Sequence, residues 1–235
     1  MFDQSQLRTP IFVHGRRRVT LSALSVTLAL ALAMVCGAGV AGANNAPSLS
    51  ASGAASTPAV APPRESLTAL WWSTYASIPA TEDPAARCDL GIDKVVFLGA
   101  TSGGVVRRSC TLAAGTSILV PLINAECSGP GDGQTPAEWS ACAKALADEF
   151  IPRYLRINGA AVGDLSRLRV ASQPFWLAPV SGNIFGLPAV AGGAVSDGYW
   201  ALIGPLARGT YDISFSGSYP PAHFRTDVTY HLTVV

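Results

Sequence analysis

Residues 224–234 read FRTDVTYHLTV. Phe224, Thr226, Val228, Tyr230, Leu232 and Val234 share one side of an extended chain; Arg225, Asp227, Thr229, His231 and Thr233 share the other. Period two over this length predicts a strand with one face on a core and one toward water. Thr210–Ser216 (TYDISFS) alternates in the same way, with Tyr211, Ile213 and Phe215 together.

Further strands are predicted upstream. Lys94–Gly99 (KVVFLG) is rich in β-branched residues, TSGG turns the chain, and Val105–Leu112 (VVRRSCTL) returns as its partner. Thr116–Asn124 (TSILVPLIN) follows, with Pro121 implying an edge or a bulge. Tyr154–Ile157 precedes Asn158-Gly159, a hairpin dipeptide. Leu168–Ala171, Phe175–Leu177 and Tyr199–Ile203 complete the set. Short strands with Gly/Pro turns predict a mainly β domain, a β-sandwich of immunoglobulin-like or jelly-roll type.

One short α-helix is predicted near 136–150. Thr135 caps it, Pro136 takes the first position and Glu138 completes a capping box. Trp139, Cys142, Ala143, Leu146, Ala147 and Phe150 form its apolar face, and Pro152 stops it. Leu67–Ile78 (LTALWWSTYASI) reads as a short helix or an opening strand.

The N-terminus predicts export. Arg16, Arg17 and Arg18 precede the uncharged run Val19–Val35, and GAGVAGA at 37–43 supplies an A-x-A site. Residues 1–43 are therefore expected to be a signal peptide cleaved after Ala43, with an uncleaved membrane anchor as the alternative. G-A-G-V-A-G at 37–42 mimics a dinucleotide-binding fingerprint, but no strand–turn–helix context surrounds it. Residues 44–63 (NNAPSLSASGAASTPAVAPP) carry no charge and read as a flexible spacer. Residues 64–235 are expected to form a single β-sandwich domain in a secreted or periplasmic protein.

Composition narrows the function classes. With 49% hydrophobic residues and 13% charged, the chain is not intrinsically disordered. It holds 16 basic and 15 acidic residues; removal of 1–43 takes four arginines and Asp3, leaving 12 and 14, a net of −2. No basic field remains to attract nucleic acid, and membrane association is expected only through an uncleaved signal segment.

Cys88, Cys110, Cys127 and Cys142 lie beyond residue 43. An even count in an exported chain predicts disulfides. Three pairings are open; sequence neighbours close the shortest loops, which favours Cys88–Cys110 and Cys127–Cys142. A loop near 15 residues is worth about 3 kcal/mol in the chain-entropy model.

The catalytic inventory is thin. No G-x-S-x-G, H-E-x-x-H or P-loop occurs. His223 in YPPAHF, near Asp227 or Asp212, is the one His/carboxylate pairing available to a hydrolase acting on an extracellular polymer. His231 reads as a solvated strand residue. Glu82/Asp83 and Asp148/Glu149 read as solvated surface pairs. Asp132, or Asp89 with Asp93, supplies oxygen atoms but no full calcium-loop pattern. No cofactor or metal is expected.

The aromatics point elsewhere. Trp71, Trp72 and Tyr75, with Tyr199 and Trp200, are candidates for a surface that stacks on sugar rings. Adjacent residues on a strand face opposite ways, so one of Tyr199 and Trp200 must leave that sheet's core. The same rule separates Arg107 from Arg108 and sends one inward, toward a carboxylate such as Asp197 or Asp93.

The phrases WWSTYASIP, VVFLG, RRSCTL, PLIN, SDGYW, GPLARGTYDISF and DVTYHLTV, across residues 70–235, resemble a group of uncharacterised exported bacterial β-sandwich proteins. That resemblance implies a fold and carries no catalytic signature. The expectation is a non-catalytic module that binds a glycan or another envelope component; the alternatives are the hydrolase and a purely structural envelope protein.

Overall fold

The structure, a computed structural model, describes residues 57–235. The predicted signal peptide and residues 44–56 of the predicted spacer lie outside the described residues.

The alternating C-terminal segment forms strand β12 (Phe224–Val234), and its burial alternates as the pattern requires: Thr226, Val228, Tyr230, Leu232 and Val234 are buried. Its antiparallel partner is β11 (Gly209–Tyr219), paired from Gly209↔Val234 to Tyr219↔Phe224. β11 also pairs with β6 (Ile151–Ile157), which turns back into β7 (Ala160–Ala161) through Asn158-Gly159. Both turn residues have positive φ, 51° and 81°, the geometry of a two-residue hairpin matched to strand twist. β4 (Gly104–Leu112) lies parallel to β12 on its other side. The sheet order is β4-β12-β11-β6-β7.

A second sheet centres on β5 (Ser117–Ser128) and β10 (Gly192–Ile203), which pair antiparallel. β3 (Val95–Phe97) pairs parallel with β5, and β2 (Gly91–Ile92) pairs with β3. Three short pieces line the far edge of β10: β1 (Val60–Ala61), β8 (Arg169–Ala171) and β9 (Phe175–Leu177). The molecule is thus mainly β, with two sheets of mixed pairing and few helices.

Two expectations are corrected here. β3 and β4 are not partners; they belong to different sheets, because alternation specifies a strand's faces and not its neighbour. The predicted spacer is not free up to Pro63, because Val60 pairs with Ile203 and packs on the core, while Pro63 is buried. An unpaired sheet edge offers backbone donors and acceptors that this apolar segment satisfies. Pro121 does sit at an irregularity: Tyr199 pairs with Ile123 and Trp200 with Pro121, so Leu122 is the extra residue.

The sheet centred on β5 and β10 is covered on both faces. Ala201 and Ile203 join Leu155, Ile213, Phe215 and Tyr230 of the other sheet in one core. The opposite face of β10, with Ala194, Ser196 and Trp200, meets helix α1 (Glu65–Ala76). Leu67–Ile78 is therefore mostly helical. Helix α2 (Pro136–Ala147) packs Ala143 against Cys127 and Val195. Its capping box is formed: the Glu138 N–H donates to Thr135 Oγ1 at 3.3 Å, and Glu138 Oε2 accepts from the Thr135 N–H at 2.9 Å. The helix ends at Ala147, short of the predicted Phe150, which instead packs edge-on against Tyr219 at 5.5 Å. Gly193 makes the docking possible, since a Cβ there would lie 2.2 Å from the Trp139 ring. Disulfides join Cys88 to Cys110 and Cys127 to Cys142, the second tying α2 to β5.

Candidate functional site

Four of the five aromatic candidates are interior. Trp71 is 2% exposed and Trp200 fully buried, with Trp72 and Tyr75 also buried. Trp71 stacks on Tyr75 at 4.5 Å and meets Trp72 and Trp200 edge to face, both at 5.4 Å. Its indole N–H donates to the Leu98 carbonyl at 2.9 Å, and the Tyr75 hydroxyl donates to the Phe97 carbonyl at 2.9 Å. Burial pushes the Tyr75 hydroxyl well above the usual phenol range. Tyr199 is half-buried among Ile123, Ala147 and Tyr219. These residues make no exposed stacking platform. Tyr199 and Trp200 do face opposite ways, but both faces of this sheet are covered, so neither becomes a surface.

Arg108 also departs from expectation. It meets no carboxylate among the described residues: Nη1 donates to the Gly99 carbonyl (3.0 Å) and Tyr230 Oη (3.2 Å), and Nη2 to the Ala100 carbonyl (3.0 Å). Residues 99–103 carry the chain from one sheet to the other, and their carbonyls need donors that no strand supplies. Asp197 is held instead by Arg169, through Nε at 3.1 Å and Nη2 at 2.7 Å. Arg169 also reaches Asp148 at 2.8 Å, and Lys144 meets Asp148 at 2.7 Å. These two cations hold the Asp148 carboxyl below the usual range, Lys144 contributing most. Asp148 is thus a link between α2 and β8, not a free surface acid. A recess of about 290 Å³ at this network is lined by its own paired charges.

The His223 dyad does not form. His223 is exposed in a tight turn at φ 52°, and its ring makes no hydrogen bond to a described residue. Asp227 accepts from the Tyr154 hydroxyl at 2.7 Å and from Arg225 at 3.0 Å. Asp212 pairs with His231 at 2.6 Å, directly across β11 and β12. That pair is exposed on a sheet face, outside any enclosed cleft that could hold a substrate.

Cys127, Cys142 and Asp132 lie within 4.8 Å of one another, but the two sulfurs are bonded and leave no thiolate for an ion. Asp132 accepts from the Ser128 N–H at 3.1 Å, and Asp89 is engaged by Arg87 at 2.8 Å. Glu126 stands apart. Its Oε2 is buried without a hydrogen-bond partner among the described residues, and burial raises the carboxyl to about 7, with nearby Asp132 adding to the rise and the Ser128 hydroxyl opposing it.

A recess runs between the outer side of α1 and residues 173–176. It is an open groove of about 970 Å³, lined mainly by apolar groups, with Leu70, Pro174 and Trp176 along it. Glu65 and Gln173 bridge it with a 2.8 Å hydrogen bond. Ser73 Oγ donates to the Trp176 carbonyl at 3.4 Å, fixing the strand that forms one wall. Phe175 and Leu177 turn toward the α1 cluster, while Trp176 turns the other way and is 67% exposed. Alternation within Phe-Trp-Leu was the available clue to this residue. A three-residue strand carries little periodicity of its own, so that clue is faint.

No family model, no curated protein and no solved structure matches the chain.

Proposed function

We propose that the chain is an exported, non-catalytic binding module whose groove beside α1 takes a glycan of the cell envelope. The observation that carries this is Trp176, a large aromatic left two-thirds exposed beside the groove, when Trp71, Trp72 and Trp200 are buried. Leu70 offers an apolar contact for the carbon-rich side of a sugar, and Glu65, Gln173 and Arg64 offer hydrogen-bonding groups for its hydroxyls. Two disulfides suit a non-reducing compartment. No helix of the described residues is long and apolar enough to cross a membrane. The shared core between the two sheets supports a sandwich, immunoglobulin-like or jelly-roll, of the exported type that the sequence motifs resemble. Removal of residues 1–43 belongs to the same reading, and the mass of the protein recovered after export tests it.

Tryptophan fluorescence and thermal unfolding against a panel of neutral polysaccharides test the groove. A melting temperature raised by one polymer, and lost in Trp176→Ala with the fold retained, is the expected result. A shift that persists in Trp176→Ala moves the site elsewhere. Absence of any shift favours the second reading, a structural envelope protein, which the interior placement of the other aromatics supports.

A further inference from the structure

The far side of the molecule carries a different surface. The outward residues of β12 are Arg225, Asp227, Thr229, His231 and Thr233, opposite the face that packs on the core. Strand register sets Arg107 of β4 beside Thr229, Thr229 beside Ser214 of β11, and Ser214 beside Arg156 of β6. One straight row across four strands therefore reads Arg–Thr–Ser–Arg. Both arginines are exposed, and neither forms an ion pair with a described residue. Arg156 rests its guanidinium over the Tyr154 ring at 5.4 Å. Arg153, also exposed and without an ion pair, sits at the register irregularity of the same strand. The acids nearby are engaged: Asp212 by His231, Asp227 by Tyr154 and Arg225.

We infer that this face binds a linear acidic polysaccharide, with Arg107 and Arg156 each taking a carboxylate. A guanidinium presents a planar pair of donors that matches a carboxylate. The row spans three interstrand steps of about 4.8 Å, so about 14 Å separates its ends. A single small anion cannot touch both arginines, whereas a polymer with repeated carboxylates can. The hydroxyls of Thr229 and Ser214 between them suit sugar hydroxyls. A lipid surface fits poorly, because the row lacks the Trp, Phe and Leu side chains that enter a membrane interface. Charge is also uneven. Residues 57–235 hold 12 basic and 14 acidic residues, yet the outward positions of this face carry Arg107, Arg156 and Arg225 against Asp212 and Asp227. A polyanion is thereby drawn to this face and repelled by the rest of the domain. The inference is independent of the groove beside α1, from which it is separated by both sheets.

Retardation of the native, oxidised protein in gels containing polygalacturonate tests it, with dextran as the neutral control. Retardation by polygalacturonate alone, weakening as salt is added, is expected. The double variant R107S/R156S should bind at least tenfold more weakly at an unchanged melting temperature. Arg167→Ser, removing an exposed arginine paired with Asp164 elsewhere, should bind as the parent does. Trp176→Ala should also bind as the parent does, which separates this face from the groove. No retardation by polygalacturonate, or equal retardation of R107S/R156S, overturns the proposal. Binding to phosphatidylglycerol vesicles as tight as to polygalacturonate, and lost in the same double variant, replaces the polysaccharide with a lipid surface.

Discussion

Helix α1 has two sides with opposite fates. Its inner side packs Trp71, Trp72 and Tyr75 on Trp200 and seals them from water; its outer side and β9 leave Leu70 and Trp176 in contact with it. The residue types are alike, so aromatic content does not distinguish core from site. What distinguishes them is whether a second layer covers the sheet. Where α1 lies over β10, a strand has no free face; on the edge strand β9 the same alternation turns Phe175 and Leu177 to the α1 cluster and leaves Trp176 on the opposite side, open to solvent.

Substitution on the two sides should separate them sharply. Trp200→Ala empties the centre of the buried cluster and should cost about 3–5 kcal/mol in urea unfolding. A loss under about 1 kcal/mol would mean that the cluster is loosely packed and that the two sides of α1 do not differ in this way. Replacing Cys127 and Cys142 together with serine opens a 15-residue separation and should cost about 3 kcal/mol, read as a lower urea midpoint. Burial does not stabilise every group on the α1-facing side. Glu126 lies opposite Ser196, whose hydroxyl meets Thr68 of α1. Its carboxyl rises from 4.5 to about 7 on folding, so the folded state keeps a proton that the unfolded state has lost. Stability should therefore fall as pH rises from about 4.5 to about 7 and stay low above that, a difference of about 3 kcal/mol. Glu126→Gln should remove that slope and raise stability by about 2 kcal/mol at pH 8, since an amide keeps part of the desolvation cost. Thermal unfolding of both proteins from pH 4 to 8 checks it, and an unchanged slope would place the titration elsewhere. Trp176→Ala should be the mildest, within about 0.5 kcal/mol of the parent by the same urea measurement.

Much of the architecture was legible because local chemistry dictates it. The alternation of residues 224–234, the Asn158-Gly159 turn and the Thr135/Glu138 cap each depend on neighbours in sequence, and each forms. The disulfides pair as loop length favours. The unread parts are long-range. Alternation in Val105–Leu112 says that Arg107 and Arg108 part company, but not that β12 is the neighbour or that backbone carbonyls receive Arg108. The helix at Leu67–Ile78 was one of two readings, but its placement over β10 was equally invisible, and with it the interior fate of Trp71, Trp72, Tyr75 and Trp200. Trp176 was missed for the complementary reason: its exposure depends on the face away from α1 being left uncovered at β9.

The placement of β12 between β4 and β11 has a consequence for how the molecule is made. β4 finds its strand partner only in the last eleven-residue strand of the chain. During synthesis, the 104–112 segment waits unpaired while more than a hundred residues follow it. Its backbone is then an open template for mispairing with another copy. Contacts this distant in sequence close slowly, so the domain should fold late and as a whole. A chain shortened before Phe224 would lose an interior strand of a sheet, and with it the strand partner of β4.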